Sequence, residues 1–232
     1  MKSQIAPSKK MSLGGKIGWT VMLLFAVFPV LISLGYLTMN PENFNFVEQK
    51  MVYAAHLTML MMHIIAAMLA ILIGPFQFLP GIRKGRWLKV HRWLGRTYLL
   101  SILFGGLGGL YMAQFAHGGI ISSLGFATLA ILWLFSGVMA YKHIRNKNLE
   151  LHREWMIRNY ALTFAGVMLR LWIPISGVTG VDFTTRYIVI AWLCWVPNLI
   201  VAQWIINRTR YGQRVNVRNQ PVNVLETVQT EF

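Results

Sequence analysis

Charge is what this chain has least of. Only 12% of its 232 residues are Asp, Glu, Lys or Arg, and just seven of them are acids. Soluble domains carry about a quarter charged residues. With 56% hydrophobic residues and a mean hydropathy of +0.51, the chain has too little polar surface to cover a water-exposed fold. Cysteine is nearly absent as well. The single Cys194, inside AWLCWVPNLIV, excludes an intrachain disulfide framework and any cysteine-based zinc site. No Gly-rich phosphate loop, HExxH pair or serine-nucleophile motif occurs. Glu150, Glu154 and Asp182 are the only acids near an apolar run, and all three lie in connections. That argues against a proton-coupled carrier built on an intramembrane carboxylate. The length leaves no room for a separate soluble catalytic domain.

What is present is a series of six long apolar runs, at about residues 17–37, 51–79, 94–115, 120–141, 155–175 and 187–206. This predicts an all-α integral membrane protein, a six-helix transmembrane bundle over residues 17–206. Residues 1–16 form a basic tail ahead of a retained signal anchor, the first run being too long for a signal peptide and lacking a small-residue cleavage site. Residues 207–232 are polar and aperiodic and read as a disordered tail. The small residues Gly105, Gly106, Gly108 and Gly109 in the third run allow a helix, or a flat ligand, to approach closely.

Positive charge is distributed by side. The N-terminal tail holds four Lys or Arg, the connection after run two six, the connection after run four five, and the C-terminal tail four. Only Lys50, Arg170 and Arg186 fall elsewhere. By the positive-inside rule both termini are cytoplasmic. The net charge of +15 thus follows topology, and nucleic-acid binding is disfavoured. Trp87, Trp93, Trp133, Trp155, Trp172 and Trp204 mostly fall near run ends, as an aromatic belt requires.

The candidate functional residues are ionisable groups at membrane depth. His56 and His63 stand seven residues apart in run two. Seven helical residues turn through about 700°, so both imidazoles share one face. With His117 they make an outer group, while His91, His143 and His152 make an inner group at the cytoplasmic run ends. Neutral imidazole is the usual axial ligand of haem b, which a helix bundle can hold in its core. An outer haem would need His63 or His56 paired with His117, because two histidines on one face of one helix cannot sandwich an iron. An inner site would pair His91 with His143 or His152. His63 and His91 are the leading iron ligands, and Arg170 with the inner arginines would pair the propionates. The opposing readings are interfacial roles for the inner three, a hydrogen-bonded core role for His63, and a snorkelling role for Arg170. Met59 and Met62 beside His56 and His63 would suit Cu(I), though packing explains so methionine-rich a chain.

His91-Arg92-Trp93-Leu94-Gly95-Arg96-Thr97-Tyr98 opens run three, and His152-Arg153-Glu154-Trp155-Met156-Ile157-Arg158-Asn159-Tyr160 opens run five. The echo suggests two similar hairpins. These two motifs and His63 resemble a bacterial membrane-protein family designated domain of unknown function 2306 (DUF2306), over residues 50–208. The resemblance implies a helical architecture and a multi-pass place in the bacterial plasma (inner) membrane, and it brings no established chemistry. A weaker similarity is to the b-type membrane cytochromes. Two functions are therefore expected in competition. One is a haem b protein passing electrons in or across the bilayer, with quinone or another redox partner. The other is a small non-redox transporter or accessory subunit whose His63 and Arg170 line a polar cavity.

Overall fold

The computed structural model describes residues 11–218, which hold helices, short 3-10 turns and no strand. Nine helices follow one another among them: α1 (Leu13–Ser33), α2 (Lys50–Ala55), α3 (Leu57–Gln77), α4 (Leu88–Ala113), α5 (Ile120–Arg145), α6 (Leu149–Thr163), α7 (Ala165–Ser176), α8 (Phe183–Leu193) and α9 (Val196–Arg218). Five helical stretches are long and apolar enough to cross a membrane: Leu13–Thr38, Leu57–Gln77, Ile120–Arg145, Leu149–Thr179 and Phe183–Tyr211. Helix α4 is as long as α5. Its first turns carry Lys89, Arg92 and Arg96, which leaves a shorter apolar stretch.

Three of the expected runs are broken. Run two is interrupted at His56 (φ −117°, ψ 33°), between α2 and α3, although His56 N–H still donates to Val52 O and Leu60 N–H to His56 O. Run five bends at Phe164, where α6 gives way to α7. Run six breaks at Cys194-Trp195, just before Pro197. The proline ring cannot tolerate a helical carbonyl four residues earlier, so it starts a new helix instead of continuing the old one.

The C-terminal expectation needs correcting. Helix α9 continues to Arg218, twelve residues into the segment expected to be irregular. The extension is tied to α6, where Arg210 donates two hydrogen bonds to the buried carboxylate of Glu154, with Arg158 beside it. Residues 1–10 and 219–232, the outer parts of the two expected tails, lie outside the described residues.

The core is built on close helix approaches. A Cβ at Gly108 would stand 2.9 Å from Met59 O of α3, and one at Gly105 would meet Trp133 of α5 at 3.1 Å. The glycine run of α4 thus seats helices on two sides. Between α4, α5 and α6 lies a buried polar knot. Tyr98 donates to Asn159 Oδ1 (2.7 Å), Asn159 Nδ2 to Trp133 O (2.9 Å) and Ser136 Oγ (2.8 Å), and Trp133 Nε1 to Thr163 Oγ1 (2.8 Å). Every group in it finds a partner, which is the condition for burying polar atoms without penalty.

Candidate ligand cavity

One end of the bundle carries the basic connections; the other carries the loop between α1 and α3. At this loop end Tyr36 stacks on Phe44 (4.8 Å between ring centres), while Phe46 packs among Tyr53, His117, Phe183 and Tyr187. Gln49 Nε2 donates to Phe115 O at 2.8 Å and closes the loop onto α4. Beneath this aromatic cap lies a cavity of about 240 Å³. Ser33, Tyr36, Gln49, Tyr53, His63 and Arg170 belong to the polar part of its wall, with Thr163 and Tyr187. Leu60, Ile64, Met68, Leu129 and Leu169 contribute to the apolar part.

His63 holds a fixed posture there. Its Nδ1 lies 2.7 Å from Gly105 O, and that carbonyl can only accept, so Nδ1 carries the proton. The ring lies against the bare Cα of Gly109, where a Cβ would fall 2.8 Å from Nδ1. Nε2 is left with its lone pair, the form of imidazole that accepts a proton or binds a metal.

Arg170 corrects the snorkelling expectation. It turns into the bundle, donating from Nη1 to Gly166 O (2.9 Å) and from Nη2 to Ser33 Oγ (2.7 Å). Ser33 Oγ in turn donates to Pro29 O (2.7 Å). The side chain is half-buried and contributes to the cavity wall. Among the described residues no carboxylate pairs with it: Glu42 bridges to Lys50, Glu154 to Arg210 and Arg158, and Asp182 caps α8. Tyr36, Tyr53 and His63 share the cavity wall with it.

The other histidines do not share this cavity. His56 faces α4 as His63 does, but bonds Tyr111 Oη (3.0 Å) and stacks on Phe115 (4.0 Å). His117 sits in the aromatic cap and bonds Thr184 Oγ1 (2.9 Å). The outer pairing of His63 or His56 with His117 is therefore not assembled. At the basic end His152 Nδ1 donates to Ala140 O (2.8 Å). His152 lies near both His91 and His143, close enough for their charges to interact. Among the described residues no three His, Cys, Asp or Glu side chains are grouped to hold a metal ion. Met59, one turn before His63 on α3, is partly exposed.

Sequence reasoning missed the aromatic and amide contributors Tyr36, Gln49, Tyr53 and Tyr187. The recurrence of aromatics at Tyr36, Phe44, Phe46 and Tyr53, across the connection between runs one and two, was the available signal. The echo between runs three and five has a structural meaning of its own. Tyr98 enters the polar knot, and Tyr160 donates to Ile71 O (3.3 Å), so each anchors a helix in the core.

No curated protein and no solved structure matches the chain. A family model does, over residues 60–206, which takes in α4 to α8 whole, nearly all of α3 with His63, and the first half of α9. The chain belongs to that family, described as a predicted membrane protein (DUF2306).

Proposed function

We propose that this protein is a six-pass protein of the bacterial plasma membrane with both termini cytoplasmic, and that it binds a small amphiphilic guest in the loop-end cavity, as a carrier or an accessory subunit. The sixth pass is α4, whose 26 residues span about 39 Å. The observation that carries the binding reading is Arg170, a half-buried guanidinium with two neutral acceptors, in the wall of a cavity that His63 also lines. Leaving a charge without a counter-ion in a low-dielectric interior costs several kcal/mol, and a guest in the cavity would offset that cost. The cavity lies below the roughly 300–1,000 Å³ of sites for drug-sized ligands, so the guest is small. The test is to purify the protein in lipid nanodiscs and analyse bound small molecules by mass spectrometry. Wild type should retain a molecule that Ala67→Phe, which fills the cavity, does not. Equal recovery from both would refute the reading.

A second reading has one observation in its favour. The Nδ1 bond to Gly105 O leaves His63 Nε2 as a ready iron ligand, so a haem b held by His63 and exchanging electrons with a quinone is the redox alternative. It requires α3, α4 and α5 to part around a porphyrin. Haem-supplied protein should then give a Soret band and sharp α-bands on dithionite reduction, lost in His63→Ala. A colourless preparation would end it.

A further inference from the structure

We infer that the guest is a small monocarboxylic acid, bound with its carboxylate on Arg170 and its apolar body against Leu60, Ile64 and Leu129. The inference rests on the cavity reading above and adds the chemistry of the head group. Guanidinium has five N–H donors, and the bonds to Gly166 O and Ser33 Oγ use two of them. Three remain, enough for the two-point contact that a planar carboxylate accepts. The anchor cannot swing away to find another acceptor, because Ser33 is itself locked to Pro29 O.

Charge balance fixes the valence of the guest. Among the described residues Arg170 is the single Lys or Arg lining the cavity, and no acid lines it. A monoanion neutralises it, whereas a doubly charged phosphate would bring a surplus charge into an apolar enclosure. Tyr36 and Tyr53 also line the cavity, and their neutral hydroxyls suit a carboxylate's remaining lone pairs. His63 Nε2, an acceptor, suits a hydroxyl on the guest or a bridging water. The volume sets the size. About 240 Å³ is room for roughly eight water-sized groups at about 30 Å³ each, the scale of a short fatty acid or a simple aromatic acid.

The experiment measures binding to the full chain in nanodiscs by isothermal titration, with empty nanodiscs subtracting partition into lipid. The probes are octanoate, octanol, octylamine and octyl phosphate. Octanoate should bind saturably and at least tenfold more tightly than the other three. Arg170→Gln should bring octanoate down to the octanol level while changing octanol less than threefold. The cavity-filling variants Ala67→Phe and Met68→Trp should weaken octanoate and octanol alike. If octanol matches octanoate and the filling variants abolish both, the cavity binds guests but the acid inference is overturned. Tighter binding of octyl phosphate overturns the carboxylate assignment. Octanoate binding that survives both filling variants, or no saturable binding of any probe, overturns the acid inference and the cavity reading together. The wild-type probe series decides the head group even if a variant fails to fold.

Discussion

Replacing Gly74 by alanine should destabilise the bundle, although alanine is the better helix former. Gly74 lies in the last turn of α3, where the ring of Tyr160 from α6 covers its bare Cα. A Cβ there would fall 2.0 Å from Tyr160 Cε2 and 2.3 Å from Cδ2, against an ordinary carbon contact of about 3.5–4.0 Å. The ring must therefore retreat by more than an ångström. It is not free to do so: its hydroxyl bonds Ile71 O, and Phe78 and Phe164 pack on its edges and face. Overpacking of this kind costs about 1–3 kcal/mol, and the propensity gain returns at most about 1 kcal/mol. A Cβ this close puts the clash in the upper part of that range, about 2–3 kcal/mol, so the expected net loss is about 1–2 kcal/mol, measured by reversible unfolding in mixed micelles. Two further variants isolate the cause. Gly95→Ala, whose Cβ would meet only Gln77 Oε1 at 3.5 Å, should be neutral or stabilising. In a Tyr160→Ala background the Gly74→Ala penalty should vanish, giving a coupling above about 1 kcal/mol. A penalty unchanged in that background, or Gly74→Ala within about 0.5 kcal/mol of wild type, would refute the contact.

Glu154→Ala should detach the end of α9. Arg158 would lose its buried counter-ion and Arg210 two charge-assisted bonds. Hydrogen exchange should accelerate from about residue 207 onward and leave α3 to α5 protected; uniform exchange behaviour in the two proteins would sink the idea that Glu154 holds this segment. Asp182 should make the loop end acid-labile. Its carboxylate accepts from Thr185 N–H at the start of α8 (3.0 Å), and the hydrogen bonds from Thr185 and Thr184 hold it below the usual aspartate range. A carboxyl depressed in the fold stabilises above its unfolded value of about 3.9, and that contribution disappears as pH falls through the folded value. As pH falls from about 4 through the depressed folded value, wild type should therefore progressively lose the difference that separates it from Asp182→Asn at pH 7; a difference that does not shrink over that descent contradicts the cap.

The transmembrane helices were legible because hydropathy and helix geometry are local. The start of α5 at Ile120 coincides with the expected run, and the long helices fill the other apolar segments. The breaks were less legible, and the reason differs at each. At Cys194-Trp195 the cause, Pro197, stands in the sequence. At Phe164 Gly166 stands two residues on, whereas no proline or glycine is near His56, so the break at His56 answers to packing that only the folded chain contains. The end of α9 is the opposite case. Its residues lack the periodicity that hydrophobic burial imposes, yet a polar clamp to Glu154 holds the helix in register, and ion pairs between segments leave no local pattern to read.

The same division runs through the candidate site. His63 and Arg170 stand out in sequence because an ionisable group in an apolar run is costly wherever it points. What such a residue does depends on its neighbours across helices. Arg170 is 137 positions from the serine it bonds and His63 is 42 from its carbonyl acceptor, separations at which spacing arguments carry no information. His56 shows the consequence. It shares a segment with His63 and also faces α4, yet Tyr111 and Phe115 occupy its ring while the cavity opens only beside His63. Two histidines equivalent by periodicity are thus made inequivalent by one aromatic pair, and only the one with a void next to it has anything left to bind.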